Sequence, residues 1–271
     1  MKILTFWGGL GNQIFEYAYY EWLKEKFPTE KIYGYYPVVG LSDHNGLEVN
    51  KRFDVKLPEP SVFSNMIASF LFNANRVMRR LGLKEIATCT QKNGKYDATF
   101  HCDYWQDKKY LTDSLKMEFN IEKLSKRNAE LVNQIESSNI VCVHVRRGDY
   151  LTSGNASTYG GICTEEYYKK AIAKITKAVP NALFLFFSDD SQYVHDTYML
   201  DNMQIVDWNK GEDSIFDMYL MSRCKYMILA NSTFSYWAAR LNSNAKMICC
   251  PTKWTNENEP NIILDNWIKI K

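Results

Sequence analysis

NIVCVHVRRGDY, residues 139–150, decides how this chain is read. Its first half is β-branched and apolar without alternation, the pattern of a strand buried on both faces of a parallel sheet. Its second half turns abruptly polar with His144, Arg146, Arg147 and Asp149. Like charges repel and desolvation is costly, so paired arginines at the end of a core strand call for an anion. Adjacent side chains on an extended segment point to opposite faces, so one arginine can meet a ligand while its neighbour pairs internally. A guanidinium fork donates two parallel charge-assisted hydrogen bonds, which suits a phosphate. Asp149 can orient one guanidinium or act as a base.

On both sides of this stretch the chain alternates between strands and helices. KILTFW (2–7) reads as a strand, GGLGN as a tight turn and QIFEYAYYEWLKEKF as a helix. Residues 28–60 read as loops with short strands, 61–84 as a helix, and KLSKRNAELVNQIESS as a helix ending near 138. After the 140–146 strand comes a helix capped by Thr164, with Glu165 and Glu166 favourable in its first turn. Strands follow at 181–187, 204–207, 225–230 and 245–250, with helices SIFDMYLMSRC and FSYWAARLN between the later ones. Such alternation predicts an α/β fold with parallel sheets, divided into 1–138 and 139–271. No internal repeat is visible.

In open parallel sheets, ligands sit at the carboxyl ends of the strands. Four loops rich in charge, hydroxyl or glycine fall there: GGLGNQ (8–13), RRGDY (146–150), SDD (188–190) and NSTFS (231–235). GGLGNQ matches neither a dinucleotide fingerprint nor a P-loop. Its glycines allow close backbone approach, and Asn12 adds an amide for a ligand. Ser232, Thr233 and Ser235 open a helix, which fits an anion site and equally fits plain capping. Asp189 and Asp190 could hold Mg²⁺ with a diphosphate, bind a base or ribose, or cap the next helix. With two arginines present the metal is redundant, and the metal-free reading is preferred. Asp217, a lone acid on its helix, could accept the two adjacent donors of a guanine. His144 faces either a ligand or the core.

A net charge of +2 on 271 residues argues against nucleic-acid binding, which needs a strongly basic face. The composition, 46% hydrophobic with 24% charged residues, is that of a soluble globular protein. Seven cysteines without C-x-x-C spacing read as reduced thiols, and no apolar run reaches the length of a membrane span, so a cytoplasmic location is expected. SVFSNMIASFLFNANRVMRRLGLK (61–84) is amphipathic with a basic end at Arg76, Arg79, Arg80 and Lys84. A core-packed helix is preferred there, with peripheral membrane contact as the alternative.

GGLGNQIFEYA (8–18), DYWQDKKYL (103–111), HVRRGDY (144–150), FSDD (187–190) and NSTFSYWAARL (231–241) stand in the order found in α-1,2-fucosyltransferases, glycosyltransferase family 11. The chain resembles that family over residues 8–241. The resemblance implies a GT-B type fold, two Rossmann-like domains facing across a cleft. It also implies an inverting, metal-independent transfer of fucose from GDP-fucose to the 2-hydroxyl of a terminal β-galactoside, in surface glycan biosynthesis. Residues 1–138 would hold mainly the acceptor and 139–271 the nucleotide sugar. Arg146 would bind the diphosphate with Ser232, Thr233 and Ser235. His144, Asp190 and Asp217 would contact the donor, Asn12 the β-phosphate or fucose, and Asp149 would share the catalytic role with Arg146. An inverting transfer also needs a base for the acceptor hydroxyl, for which Asp149, Asp190 and Glu16 are the candidates. Trp7, Tyr104 and Trp105 could stack on sugar rings. The rival readings are another GDP-sugar transferase and a non-catalytic nucleotide-binding module.

Overall fold

The structure, a computed structural model, describes residues 1–112, 115–198, 200–257 and 259–271. It divides into two compact units, Met1–Asn120 and Ile121–Lys271.

The first unit begins with strand β1 (Lys2–Thr5), helix α1 (Leu10–Lys26) and strand β2 (Ile32–Tyr35). Short helical turns α2 (Val38–Leu41) and α3 (Val49–Arg52) lead to the long helix α4 (Val62–Arg80). Strands β3 (Thr88–Cys89) and β4 (Phe100–His101) complete a parallel sheet in the order β2-β1-β4-β3. The sequence reading missed β3 and β4, because two residues each are too few to carry a period. Register places them: Ile3 pairs with Phe100 and Leu4 with His101. Ser61 and Ser64 form a capping box at the start of α4, and Ala68, Leu71 and Phe72 pack from its inner face against Ile3 and Phe100.

The second unit opens with helix α5 (Lys126–Ser137), strand β5 (Ile140–Val145), the turn α6 (Ala156–Tyr159) and helix α7 (Glu165–Ala178). Strand β6 (Leu183–Ser188), helix α8 (Ser191–Thr197), strand β7 (Met203–Val206) and helix α9 (Ser214–Arg223) follow. Then come strand β8 (Tyr226–Ile228), helix α10 (Thr233–Arg240), strand β9 (Met247–Pro251) and strand β10 (Ile268–Ile270). All six strands are parallel, in the order β10-β9-β8-β5-β6-β7. β5 is central and buried at every position, as its unalternating sequence predicts. The sequence reading ended its strands at 245–250 and did not include β10.

The division lies between 120 and 121 rather than between 138 and 139. Helix α5 belongs to the second unit because it packs on α9, with Arg223 paired to Glu136 at 2.5 Å. Asn128 is tied to Trp208 and Asn209 as well. All seven cysteines are free thiols, six of them buried, in keeping with small hydrophobes. Among the described residues no helix is long and apolar enough to cross a membrane.

Candidate active site

Topology selects the site in the second unit. β5 has β6 on one side and β8 on the other, so the chain leaves β5 in one direction and returns on its opposite flank. At such a switch point the loops after the two strands diverge and leave a crevice at their carboxyl ends. The loop after β5 carries RRGDY; the loop after β8 carries NST.

The β5–β6 register explains the paired arginines. Val145 lies opposite Ser188, so Arg146 and Arg147 emerge beside Asp189 and Asp190. Arg146 donates from Nε to Asp149 Oδ1 at 3.0 Å, and its Nη2 lies 2.8 Å from the same oxygen. Its Nη1 is 3.2 Å from Asp189 Oδ2. Two carboxylates therefore fix the guanidinium while 34% of the side chain stays open to solvent. Each terminal nitrogen carries two N–H groups, so both retain a donor for an incoming anion. Gly148 makes this clamp fit, since a Cβ there would stand 2.6 Å from Asp189 Oδ2.

Arg147 has a different task. Its Nε donates to Asp190 Oδ2 at 3.1 Å, its guanidinium lies 3.4 Å from the centre of the Tyr193 ring, and its backbone N–H donates to Asp189 Oδ1. It is the arginine that pairs internally. Asp190 uses its other oxygen to accept the Tyr193 N–H and cap α8. Asp190, expected to bind the donor or serve as base, here uses one oxygen to hold Arg147 and the other to hold α8.

His144 is 6% exposed, its Nδ1 finds no hydrogen-bond partner among the described residues, and its ring lies 5.9 Å from that of Phe234 in the first turn of α10. Burial, reinforced by the charge of Arg146, pushes its imidazole down to about 4, so it is neutral at pH 7. An orphaned buried nitrogen beside the arginine clamp is a group for a ligand donor or acceptor to satisfy.

The hydroxyls expected together separate on inspection. Ser232 caps α10 by accepting the Phe234 N–H, and Thr233 is partly exposed beside it. Ser235 is fully buried, and its hydroxyl donates to the carbonyls of Ala230 and Ser232. It shapes the loop rather than presenting a group to solvent. Tyr150 and Asn231, passed over in the sequence, join the two loops. The Tyr150 hydroxyl donates to Asn231 O at 2.9 Å, and Asn231 Nδ2 donates to the carbonyls of Tyr159 and Trp254.

Asp217 stands apart from the clamp. On α9 its Oδ1 accepts from Asn209 Nδ2 at 2.7 Å, in a network that includes Asn128 and Trp208. Burial raises its carboxyl to about 7 against the lowering pull of that hydrogen bond. Such a carboxyl becomes a strong acceptor for paired N–H donors, because they relieve the desolvation that holds its proton on.

In the first unit β1 has β2 on one side and β4 on the other, and GGLGNQ follows β1 at this second switch point. Gly8, at φ +72°, lets Asn12 and Tyr104 approach: a Cβ there would meet Asn12 Nδ2 at 3.0 Å and the Tyr104 ring at 3.1 Å. Asn12 Oδ1 accepts from Gln106 Nε2, and Trp7 packs on Tyr104 at 5.3 Å. Gln13 is the residue the sequence reading missed. Buried, it donates to the carbonyls of Gly8 and Gly46 and accepts the N–H groups of Glu48 and Val49. Two sequence expectations are corrected here. Glu16 is fully buried, with its carboxyl raised well above the usual range by burial and one oxygen accepting the Trp7 N–H, so it is no base open to an acceptor. Trp105 is also fully buried, stacked on Tyr19 at 3.6 Å, and belongs to the core rather than to a sugar platform.

The family model described as glycosyl transferase family 11 matches residues 4–271. Over 97% of this chain and 98% of the relative, the sequence is 27% identical to an O-antigen biosynthesis glycosyltransferase, WbnK, of Escherichia coli. It is 29% identical, over 97% of both chains, to an alpha-1,2-colitosyltransferase of the same organism. The crystal structure of the fucosyltransferase NodZ from Bradyrhizobium superposes with a TM-score of 0.53 at 16% identity, covering 91% of this chain and 93% of that one. At that identity the likeness shows the fold alone, an α/β architecture of GT-B type.

Proposed function

The chain belongs to glycosyl transferase family 11 and is a glycosyltransferase, and on that premise we propose that it moves fucose from GDP-fucose to the 2-hydroxyl of a terminal β-galactoside in surface glycan synthesis. The observation that carries the reading is the Arg146 guanidinium, fixed by Asp149 and Asp189 at the switch point with donors left over. As the glycosidic C–O bond breaks in an inverting transfer, negative charge gathers on the β-phosphate of the leaving GDP. A preorganised guanidinium binds that charge better than it binds the ground state, which is what lowers the barrier. The Ser232–Thr233 start of α10 adds backbone N–H groups, His144 supplies its orphaned nitrogen, and Asp217 takes the guanine edge. Within the first unit, Asn12 offers an amide, and Trp7 and Tyr104 offer aromatic faces, to a sugar.

In this scheme Asp149 positions Arg146, and the acceptor hydroxyl loses its proton late, to a weak base. No metal is required, because Arg146 does for the diphosphate what a cation would do. A second donor is favoured by one observation: a relative 29% identical over nearly its whole length is an alpha-1,2-colitosyltransferase.

The test incubates the protein with GDP-fucose or GDP-colitose and lactose, with and without EDTA. GDP release and the linkage of the product are followed by NMR. An α-1,2-fucosylated product insensitive to EDTA is expected. Transfer from GDP-colitose alone replaces the donor, a different linkage replaces the regiochemistry, and EDTA-sensitive transfer moves phosphate binding to a cation.

A further inference from the structure

Helix α4 is apolar on two opposite faces. Its inner face, with Ala68, Leu71 and Phe72, is buried and sufficient to hold it in place. On the other side Val62, Met66, Phe70, Val77 and Leu81 form a stripe at helical spacing, widened by Phe63. All six are exposed, Val62 at 82%, Phe70 at 68% and Leu81 at 66%. The sequence expectation of a core-packed helix accounts for only half of this surface. An apolar patch of this kind on a globular protein marks a place where something binds.

Charge identifies what binds. Residues 61–86 carry four basic side chains and one acidic one, although the net charge of the whole chain is +2. Glu85 pairs with Arg79 at 3.2 Å. Arg76 lies over the Phe72 ring, and Arg80 and Lys84 are exposed at the end of the stripe. Exposed Asn65, Ser69 and Asn73 border it. A second copy of the chain would bring the same positive charge rather than complement it.

We propose that the outward face of α4 docks on an anionic lipid surface, with the Phe63–Leu81 stripe inserted at the headgroup boundary and Arg76, Arg80 and Lys84 against the headgroups. The arrangement is that of an interfacial helix: aromatic and aliphatic residues on one stripe, basic residues beside it, and too little length and apolarity to span. The helix would lie flat, about 28 Å along its axis. This inference stands independently of the donor and the linkage.

The test is sedimentation of the full chain with vesicles of phosphatidylcholine, alone or mixed with phosphatidylglycerol. Binding to the mixed vesicles is expected, weakened by high salt and weak on phosphatidylcholine alone. Arg80→Glu with Lys84→Glu should lower the partition coefficient about tenfold or more. Met66→Ser with Phe70→Ser should abolish binding, and because both side chains are exposed the thermal melt should not change. Equal binding to both vesicle types, or by either variant, overturns the proposal. So does a solution dimer that Met66→Ser with Phe70→Ser dissolves while no vesicle binding is seen. The salt and lipid comparisons use the unaltered chain, so they decide the matter even if a variant misfolds.

Discussion

Arg146 is held by geometry that lysine cannot reproduce. Its Nε and Nη2 meet Asp149 while Nη1 meets Asp189, and donors are left for phosphate. A lysine ammonium is a compact point charge with three donors, so it could satisfy one carboxylate only by abandoning the other or the ligand. Removing one donor aimed at charge developing in a transition state costs roughly 10²–10³ in turnover. Arg146→Lys should therefore lower kcat for GDP release by about a hundredfold, with a smaller effect on KM. Single-turnover and steady-state assays together separate the two, and near-normal turnover in the variant would refute the clamp. Arg147→Lys, whose guanidinium pairs with Asp190 and stacks on Tyr193, should instead weaken the fold more than the chemistry.

At the scale of the element, Asp190 joins strand to helix. It caps α8 through the Tyr193 N–H and neutralises Arg147. Losing an aspartate cap costs typically about 1 kcal/mol, and a half-exposed ion pair adds less. Asp190→Ala should lower the melting temperature by about 2–4 °C, read by calorimetry, and leave turnover closer to normal than Arg146→Lys does. Loss of turnover equal to that of Arg146→Lys would return Asp190 to the chemistry. The pairing behind this was half legible in the sequence. RR after one strand and DD after the next were both visible, and so was the capping option for Asp190. What could not be read was the register Val145↔Ser188, a long-range fact that turns two charged pairs into two ion pairs. Strands β3 and β4 escaped for a related reason, since β1 and the rest of their sheet specify them more than their own residues do.

At the scale of the whole molecule, the alternation of β and α and the unalternating β5 sufficed for the α/β class. Hydrophobic period reports on layers directly, whereas burial of a polar residue depends on how distant segments close over it. Glu16 and Trp105 were misplaced for that reason, and the burial of Ser235 was not legible either: nothing local distinguishes a buried side chain from an open one. Asp217 shows the same closure acting on a charge, and here its consequence reaches global stability. Its carboxyl is raised to about 7, so the folded chain holds that proton more tightly than the unfolded chain does. The sign follows from linkage: this contribution is fully present below the ordinary carboxylate range and is lost as pH rises through about 7. The proposed guanine contact runs the opposite way, because accepting two N–H donors requires the carboxylate. GDP should therefore bind more tightly, and protect more against heat, as pH rises through 7, while the free protein loses stability over the same interval. Asp217→Asn keeps the Asn209 contact but cannot ionise, so it should flatten both profiles and bind GDP more weakly at the alkaline end. Thermal unfolding with and without GDP, from about pH 6 to pH 8, reads both slopes in one experiment. If GDP protection has the same pH slope in the variant as in the parent, Asp217 does not meet the base; if only the slope of the free protein persists, the linkage belongs to another group.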